Sequence, residues 1–237
     1  MTTEGKLYLI PTTLGDNNPT EVLPITVKKV IEETDTFIVE NEKTARRFIK
    51  KICPEKPQPS LKIFLLNKHT EETDLPSFLA PCSRGINIGL LSEAGCPGVA
   101  DPGADIVKIA HTKNIKVIPL VGPSSILMAI MSSGMNGQSF TFNGYLPIDK
   151  AERKTEIKRL ERLSFDRNQS QIFIETPYRN NKMLEDLVAI LDNNTDVCVA
   201  CDITLPTEFI KTKTANQWKK NMVDLHKRPT IFIIHKN

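Results

Sequence analysis

The sequence has 237 residues, a formal net charge of +3, 40% hydrophobic and 25% charged residues, an ordinary globular composition. That charge is too near neutral to argue for nucleic-acid binding by itself, although it leaves room for a local basic patch. No apolar run approaches the about 20 residues of a membrane span, and no basic segment followed by a long apolar run opens the sequence, so a cytoplasmic protein without a membrane anchor is expected.

Residues 6–10 read as a short apolar strand that runs into Pro11-Thr-Thr-Leu-Gly-Asp16, with a helix over 21–33. A strand at 36–39, a basic helix at 42–51, a proline-rich loop at 53–60 and a strand at 62–66 follow. Residues 71–83 read as helical, interrupted at Pro76. Two strand–loop–helix units come next. Leu90 and Leu91 run into Ser92-Glu-Ala-Gly-Cys-Pro-Gly-Val-Ala-Asp-Pro-Gly103 before a helix at 105–112. Residues 115–119 run into Leu120-Val-Gly-Pro-Ser124 before a helix at 124–133. Loops of this kind lie at the carboxyl ends of strands, where open α/β sheets bind ligands. Glycine allows close backbone approach and proline stiffens the loop, though ordinary tight turns have the same composition.

The pattern changes after Gly134. Strands are expected at 138–142, 171–175, 197–203, 208–213 and 230–235, a turn at 143–147, and helices at 150–163, 178–191 and 215–222. The helix at 150–163 is strongly charged, with a narrow apolar stripe of Ile157, Leu160 and Leu163. Short links between the last strands favour antiparallel or mixed pairing. The expectation is an α/β protein of two domains, 1–137 around a mostly parallel sheet and 138–237 around a mixed one.

The five cysteines, Cys53, Cys82, Cys96, Cys198 and Cys201, form an odd, scattered set that fits reduced thiols. Cys198 and Cys201 lie three apart on a predicted strand and so point to opposite faces. With no ligand spacing among His69, His111, His226 and His235, no metal site is expected.

Four stretches carry a resemblance: Leu7-Tyr-Leu-Ile-Pro-Thr-Thr-Leu-Gly15, Leu91-Ser-Glu-Ala-Gly-Cys-Pro-Gly-Val-Ala-Asp-Pro-Gly103, Pro119-Leu-Val-Gly-Pro-Ser-Ser125, and the pair Phe142-Asn-Gly-Tyr-Leu-Pro147 and Glu175-Thr-Pro-Tyr-Arg179. In this order they resemble the tetrapyrrole methylase superfamily of S-adenosylmethionine-dependent methyltransferases, most closely its ribosomal RNA small-subunit cytidine 2′-O-methyltransferase branch. The resemblance implies two α/β domains with S-adenosylmethionine in the cleft between them, usually in a homodimer. It implies methyl transfer to a ribose hydroxyl of RNA in the small ribosomal subunit. Other acceptors remain open: a small molecule such as a tetrapyrrole, or none, in a module that only binds the cofactor. True tetrapyrrole enzymes carry a Gly-Asp-Pro loop where this chain has Gly95-Cys-Pro97.

By the same resemblance, Gly95, Cys96, Pro97, Gly98, Val99 and Ala100 would hold the methionine and ribose portion, with Ser124 and Ser125 reaching it from the next loop and Leu14 lining the cleft. Ile174, Glu175, Pro229 and Thr230 would contact the adenosine. A hydroxyl acceptor benefits from a positioned base. The candidates are Glu93, Asp101, Glu40 and Glu175; Asp101 reads equally as a helix cap and Glu175 as a polar strand end.

Three departures from the family stand out. The acidic-arginine stretch after the second strand becomes Glu40-Asn-Glu-Lys-Thr-Ala-Arg-Arg47. The signature Asp and Thr become Glu93 and Cys96, its second Ser becomes Ala100, and the first loop carries an altered 16–20 segment. The sequence stops at Asn237, where ribosomal RNA enzymes of the branch usually continue into a helical region, which either argues against the ribosomal substrate or leaves RNA docking to the core and a dimer partner. Lys28-Lys29, Arg46-Arg47, Lys50-Lys51, Arg153-Lys154, Lys158-Arg159 and Lys219-Lys220 could meet phosphate or form solvated helix faces.

Overall fold

The computed structural model describes residues 4–237, and its contacts gather into two compact units that divide between Ser124 and Ser125.

In the first unit, strands β1 (Leu7–Ile10), β2 (Thr36–Val39), β3 (Lys62–Leu65), β4 (Ile88–Leu91) and β5 (Val117–Pro119) form one sheet in the order β3-β2-β4-β1-β5. Every pairing in it is parallel. Parallel sheets are covered on both faces, so their strands are apolar on both sides. Phe37 and Val39 of β2 join a core with Ile31 of helix α2 (Ile25–Glu33) and Ile49 of α3 (Glu42–Ile52). Ile38 points the other way, to Ile88, Leu90 and Ile106, the last on α5 (Ala104–Thr112).

The helix expected over 21–33 is in fact two, α1 (Pro19–Val22) and α2. Pro24 is the cause: its ring disfavours helical geometry in the residue before it, and Leu23 is extended at φ −114°, ψ 136°. The 71–83 segment likewise breaks into α4 (Leu75–Phe78) and a 3-10 turn, Ala80–Arg84, each with a proline in its first turn.

The second unit begins with α6 (Ser125–Ser133), continues through β6 (Phe140–Tyr145), α7 (Lys150–Arg167), β7 (Ser170–Ile174), α8 (Asn180–Ile190), β8 (Asp196–Cys201), β9 (Phe209–Thr214) and α9 (Ala215–Lys220), and ends with β10 (Thr230–His235). Its sheet runs β6-β7-β10-β8-β9. Only the β6–β7 pairing is parallel, so the sheet is mixed, as the short links required. Phe173, Val199 and Phe232 pack on one face with Leu160, Leu184 and Trp218. Trp218 Nε1 donates to Val197 O at 2.9 Å, so the buried ring leaves no donor unpaired. Val197, Val199 and Cys201 share this core while Cys198 does not, the opposite-face placement expected of the two cysteines.

The contact boundary falls ahead of residue 137, where the change in strand–helix pattern suggested dividing the chain. α6 packs on β8, β9 and β10, and Thr212 Oγ1 donates to Ser133 O at 2.7 Å, which ties this helix to the second unit. β6 runs past residue 142 to Tyr145, through a register shift where Gly144 takes φ +65°. α7 runs past residue 163 to Arg167 and stops at Asn168 in the left-handed region, φ 48°. Its charged residues are not all solvated. Arg153 is buried, with Nε and Nη2 donating to Asp186 Oδ2 at 2.9 and 2.7 Å. Glu161 is also buried and accepts from Thr195 Oγ1 and Asp192 N at 2.6 and 2.7 Å.

Candidate functional site

The order of the parallel sheet decides where loops gather. The chain leaves β1 for β2 on one side and leaves β4 for β5 on the other, so the direction reverses between the neighbours β1 and β4. At their carboxyl ends the loops 11–16 and 92–103 are stitched together. Thr12 N donates to Gly95 O at 3.0 Å, Ser92 Oγ donates to the same oxygen, and the Thr12 and Ser92 hydroxyls lie 3.2 Å apart. The loop after β5 joins them: Cys96 Sγ donates to Pro123 O at 3.4 Å. A Cβ on Gly95 would come 3.1 Å from both Leu14 Cδ2 and Pro123 O. Leu14, Gly95, Cys96 and the segment ending at Ser124, which the sequence places far apart, thus share one end of the sheet.

The loop between Gly95 and Gly103 is contorted. Gly95 and Gly98 take φ +75°, and Ala100 takes φ 57° without being glycine. Such a conformation in a non-glycine residue costs of order 1 kcal/mol and tends to be held where function needs it. A Cβ on Gly98 would meet nothing within 4 Å, so the backbone there borders open space. Pro97 is buried, whereas Val99 is half exposed. Small residues with accessible main chain fit the donor group that a methyl-carrying nucleoside requires: backbone hydrogen bonds and room at van der Waals distance.

Three of the four candidate carboxylates flank this end of the sheet. Glu40 follows β2, and Glu93 and Asp101 lie in the loop after β4. Asp101 does not cap α5, whose N-terminal Gly103 receives no side-chain hydrogen bond. Instead it accepts from Glu93 N at 3.3 Å. Burial pushes the Asp101 carboxyl up to about 6; the Glu93 N–H favours its ionised form, while the charges of Glu40 and Glu93 add repulsion. Glu93 itself is exposed and is held by Thr44 Oγ1, at 2.8 and 3.0 Å from its two oxygens.

A cavity of about 550 Å³ opens beside these groups, walled by Thr12, Leu14 and Asp16 of the β1 loop, Thr44, Arg47, Phe48 and Lys51 of α3, and Ser92 and Glu93 of the β4 loop. Glu93 also borders a smaller hollow of about 350 Å³ with Glu40 and His69. Sequence reasoning placed Arg47 and Lys51 only among basic pairs and missed the wall. The available signal was the spacing 44, 47, 48, 51, one face of a helix.

The fourth carboxylate lies in the second unit. Glu175, just past β7, is buried; its Oε1 accepts from Thr176 N at 2.6 Å and from Arg179 Nη2 at 2.7 Å. Ile174 pairs with Ile231, and Thr230 with Cys201, so Ile174, Glu175, Pro229 and Thr230 sit at one end of the antiparallel β7–β10 pair. Ser125 is the first residue of α6. Among the described residues no three His, Cys, Asp or Glu side chains are grouped to hold a metal ion, and no helix is long and apolar enough to cross a membrane.

The sequence matches a family model described as Tetrapyrrole (Corrin/Porphyrin) Methylases over residues 6–218. The chain is 28% identical to the ribosomal RNA small subunit methyltransferase I of Vibrio cholerae, across 86% of this chain and 67% of that protein. It is 30% identical to the protein of the same name from Bacillus subtilis, across 87% and 67%. Among solved structures it is similar to the methyltransferase CobJ, with a TM-score of 0.64 over 98% of this chain and 94% of the other at 15% identity, a likeness of fold.

Proposed function

Because this chain belongs to the tetrapyrrole (corrin/porphyrin) methylase family, we propose that it is an S-adenosylmethionine-dependent methyltransferase whose acceptor is a ribose hydroxyl of small-subunit ribosomal RNA. The observation that carries the reading is the alignment of relatives named ribosomal RNA small subunit methyltransferase I along most of the chain. S-adenosylmethionine supplies an electrophilic methyl group on a sulfonium centre. The loop from Gly95 to Ala100, with Leu14 and Ser124, is assigned to the methionine and ribose end of this donor, Ser125 to the same end, and Ile174, Glu175, Pro229 and Thr230 to its adenosine.

Methyl transfer is an in-line displacement, so most of what the protein contributes is alignment and exclusion of water. The rigid, stitched junction of Thr12, Ser92 and Gly95 supports alignment. A ribose hydroxyl must lose its proton. Asp101 suits that role better than Glu175, whose carboxylate is committed to Thr176 and Arg179. A carboxyl raised to about 6 by burial is a stronger base than an ordinary one and is still ionised at neutral pH. A homodimer and a cytoplasmic location complete the proposal; light scattering on the purified protein checks the first.

The decisive test is transfer of a labelled methyl group from S-adenosylmethionine to small ribosomal subunits lacking their native modifications, beside a porphyrinogen mixture. Label in a ribose 2′ position of the RNA is expected. Label only in the small molecules transfers the chain to the tetrapyrrole reading. Cofactor binding without label in either leaves the binding-only reading.

A further inference from the structure

The cavity beside the donor loop has a charge pattern that the methyl donor does not need. α3 carries Lys43, Arg46, Arg47, Lys50 and Lys51 against a single acid, Glu42. Most of these cations are engaged. Arg46 Nε donates to Glu42 at 2.7 Å and its Nη1 to Gln58 O at 2.6 Å, and Lys50 donates to Pro54 O. Arg47 and Lys51, one turn apart, instead point into the cavity wall. Arg47 makes no hydrogen bond or salt bridge among the described residues. Lys51 is held by Asp16 at 2.6 Å across the mouth, and the Asp16 side chain is fully exposed. The Asp16 carboxyl is held below its ordinary value by the Lys51 hydrogen bond and charge and by Arg47, so the carboxylate sits in the field of both cations. An ion pair so open to water contributes little to stability and is easily exchanged for another anion.

The remaining wall suits a nucleotide. The Thr12, Thr13 and Thr44 hydroxyls are engaged with Ser92, Gly15 O and Glu93, and what remains for a base is the half-buried Phe48 ring. Leu14 belongs both to this cavity and to the contact with Gly95 in the donor loop, so the two are contiguous, as donor and acceptor of a displacement must be.

We propose that this cavity takes the phosphodiester backbone of the acceptor RNA next to the methylated ribose, with Arg47 as its anchoring cation and Asp16 as an internal stand-in that the phosphate displaces from Lys51. The inference rests on the RNA methyltransferase reading above. It makes the first-unit loop a competitor for its own substrate site: the Asp16 carboxylate occupies Lys51 when RNA is absent and swings away when a phosphate arrives.

The test is binding of the full chain to an unmodified small-subunit ribosomal RNA transcript across a salt series, with S-adenosylmethionine affinity measured in parallel. Arg47→Gln is expected to weaken RNA binding roughly tenfold and to reduce the slope of log affinity on log salt by about 0.7, the share of one phosphate contact. It raises KM for RNA more than it lowers kcat, and Arg47→Lys recovers part of the loss. Asp16→Asn is expected to tighten RNA binding about two- to threefold, because the phosphate no longer competes with a carboxylate for Lys51. Donor affinity stays at the wild-type value in every variant. Unchanged RNA affinity and salt slope in Arg47→Gln overturn the assignment of the cavity. Weaker binding in Asp16→Asn overturns the stand-in role. If the wild type methylates this RNA and Arg47→Gln does so with unchanged KM, the cavity assignment alone fails. If the wild type neither binds nor methylates it, the functional reading falls and takes the cavity with it.

Discussion

The two units solve the same problem, covering a five-stranded sheet with helices, and leave their polar groups in opposite conditions. In the second unit the buried charges of α7 are closed off: Arg153 is spent on Asp186 and on the Pro147 and Ile148 carbonyls, and Glu161 on Thr195 and Asp192. In the first unit, the polar groups at the carboxyl end of the sheet stay open. The Arg47 guanidinium makes no hydrogen bond or salt bridge among the described residues, Glu93 is exposed, and Asp101 is half-buried with a single backbone donor. Strand direction explains the difference. Five parallel strands send all their outgoing loops to one end, whereas the antiparallel pairs of the second sheet divide theirs between both ends.

The contrast predicts that substitutions in the second-unit core act through stability and first-unit loop substitutions through binding. The largest effect is expected from Trp218→Ala. The ring is fully buried, and removing it leaves a cavity and takes away the Nε1 donor to Val197 O. A loss of about 3–5 kcal/mol is expected in urea unfolding. A loss below about 1 kcal/mol would mean that the second core is far more plastic than its packing indicates.

Gly98→Val probes the other side of the comparison. With φ +75°, a β-branched residue costs about 1–2 kcal/mol in backbone strain. The open space around the missing Cβ means that nothing in the unit itself is pushed aside. Calorimetry is expected to show at least a tenfold loss of S-adenosylmethionine affinity while the unfolding transition remains cooperative. Wild-type affinity would remove Gly98 from the donor site.

Asp101→Asn should give the smallest change in stability, and one with a pH signature. The folded carboxyl titrates near 6, above its ordinary value of 3.8, so the folded state binds the proton more tightly than the unfolded chain. Stability therefore falls as pH rises from about 4 to about 6, and the penalty is complete above that. The amide removes it, raising stability by about 1 kcal/mol at pH 7 after allowance for solvent, and by nothing below pH 4. Methyl transfer by the wild type should rise through pH 6, and the variant should lose that rise. A variant less stable than wild type at every pH would show that the hydrogen bond with Glu93 outweighs the burial of charge.

Much of this was legible in the residues because local and global preferences agree. β2 and β10 fall at 36–39 and 230–235 as read, being short apolar runs between clear breakers. Pro24 was equally visible, yet the helical spacing around it masked the break between α1 and α2. The end of α7 depends on Asn168 adopting a left-handed conformation, which composition does not announce. At the site, the glycines of the loop were plain but their separate reasons were not. Gly95 is hemmed in by Leu14 and Pro123, so packing already demands glycine there; only Gly98 is glycine beside open space. The cavity wall on α3 was hidden because its four residues belong to a helix whose charge pattern reads as surface.

The interior place of β1 also bears on how the chain is made. Its four residues, Leu7-Tyr-Leu-Ile10, pair with β4 and β5 and with nothing nearer in sequence. On the ribosome, β1 has no sheet neighbour until Ile88–Leu91 follows. At about 5–20 residues per second, that is a wait of several seconds for an apolar strand with both edges bare. The nascent first half is therefore the stretch of this chain in which a chaperone has most to protect.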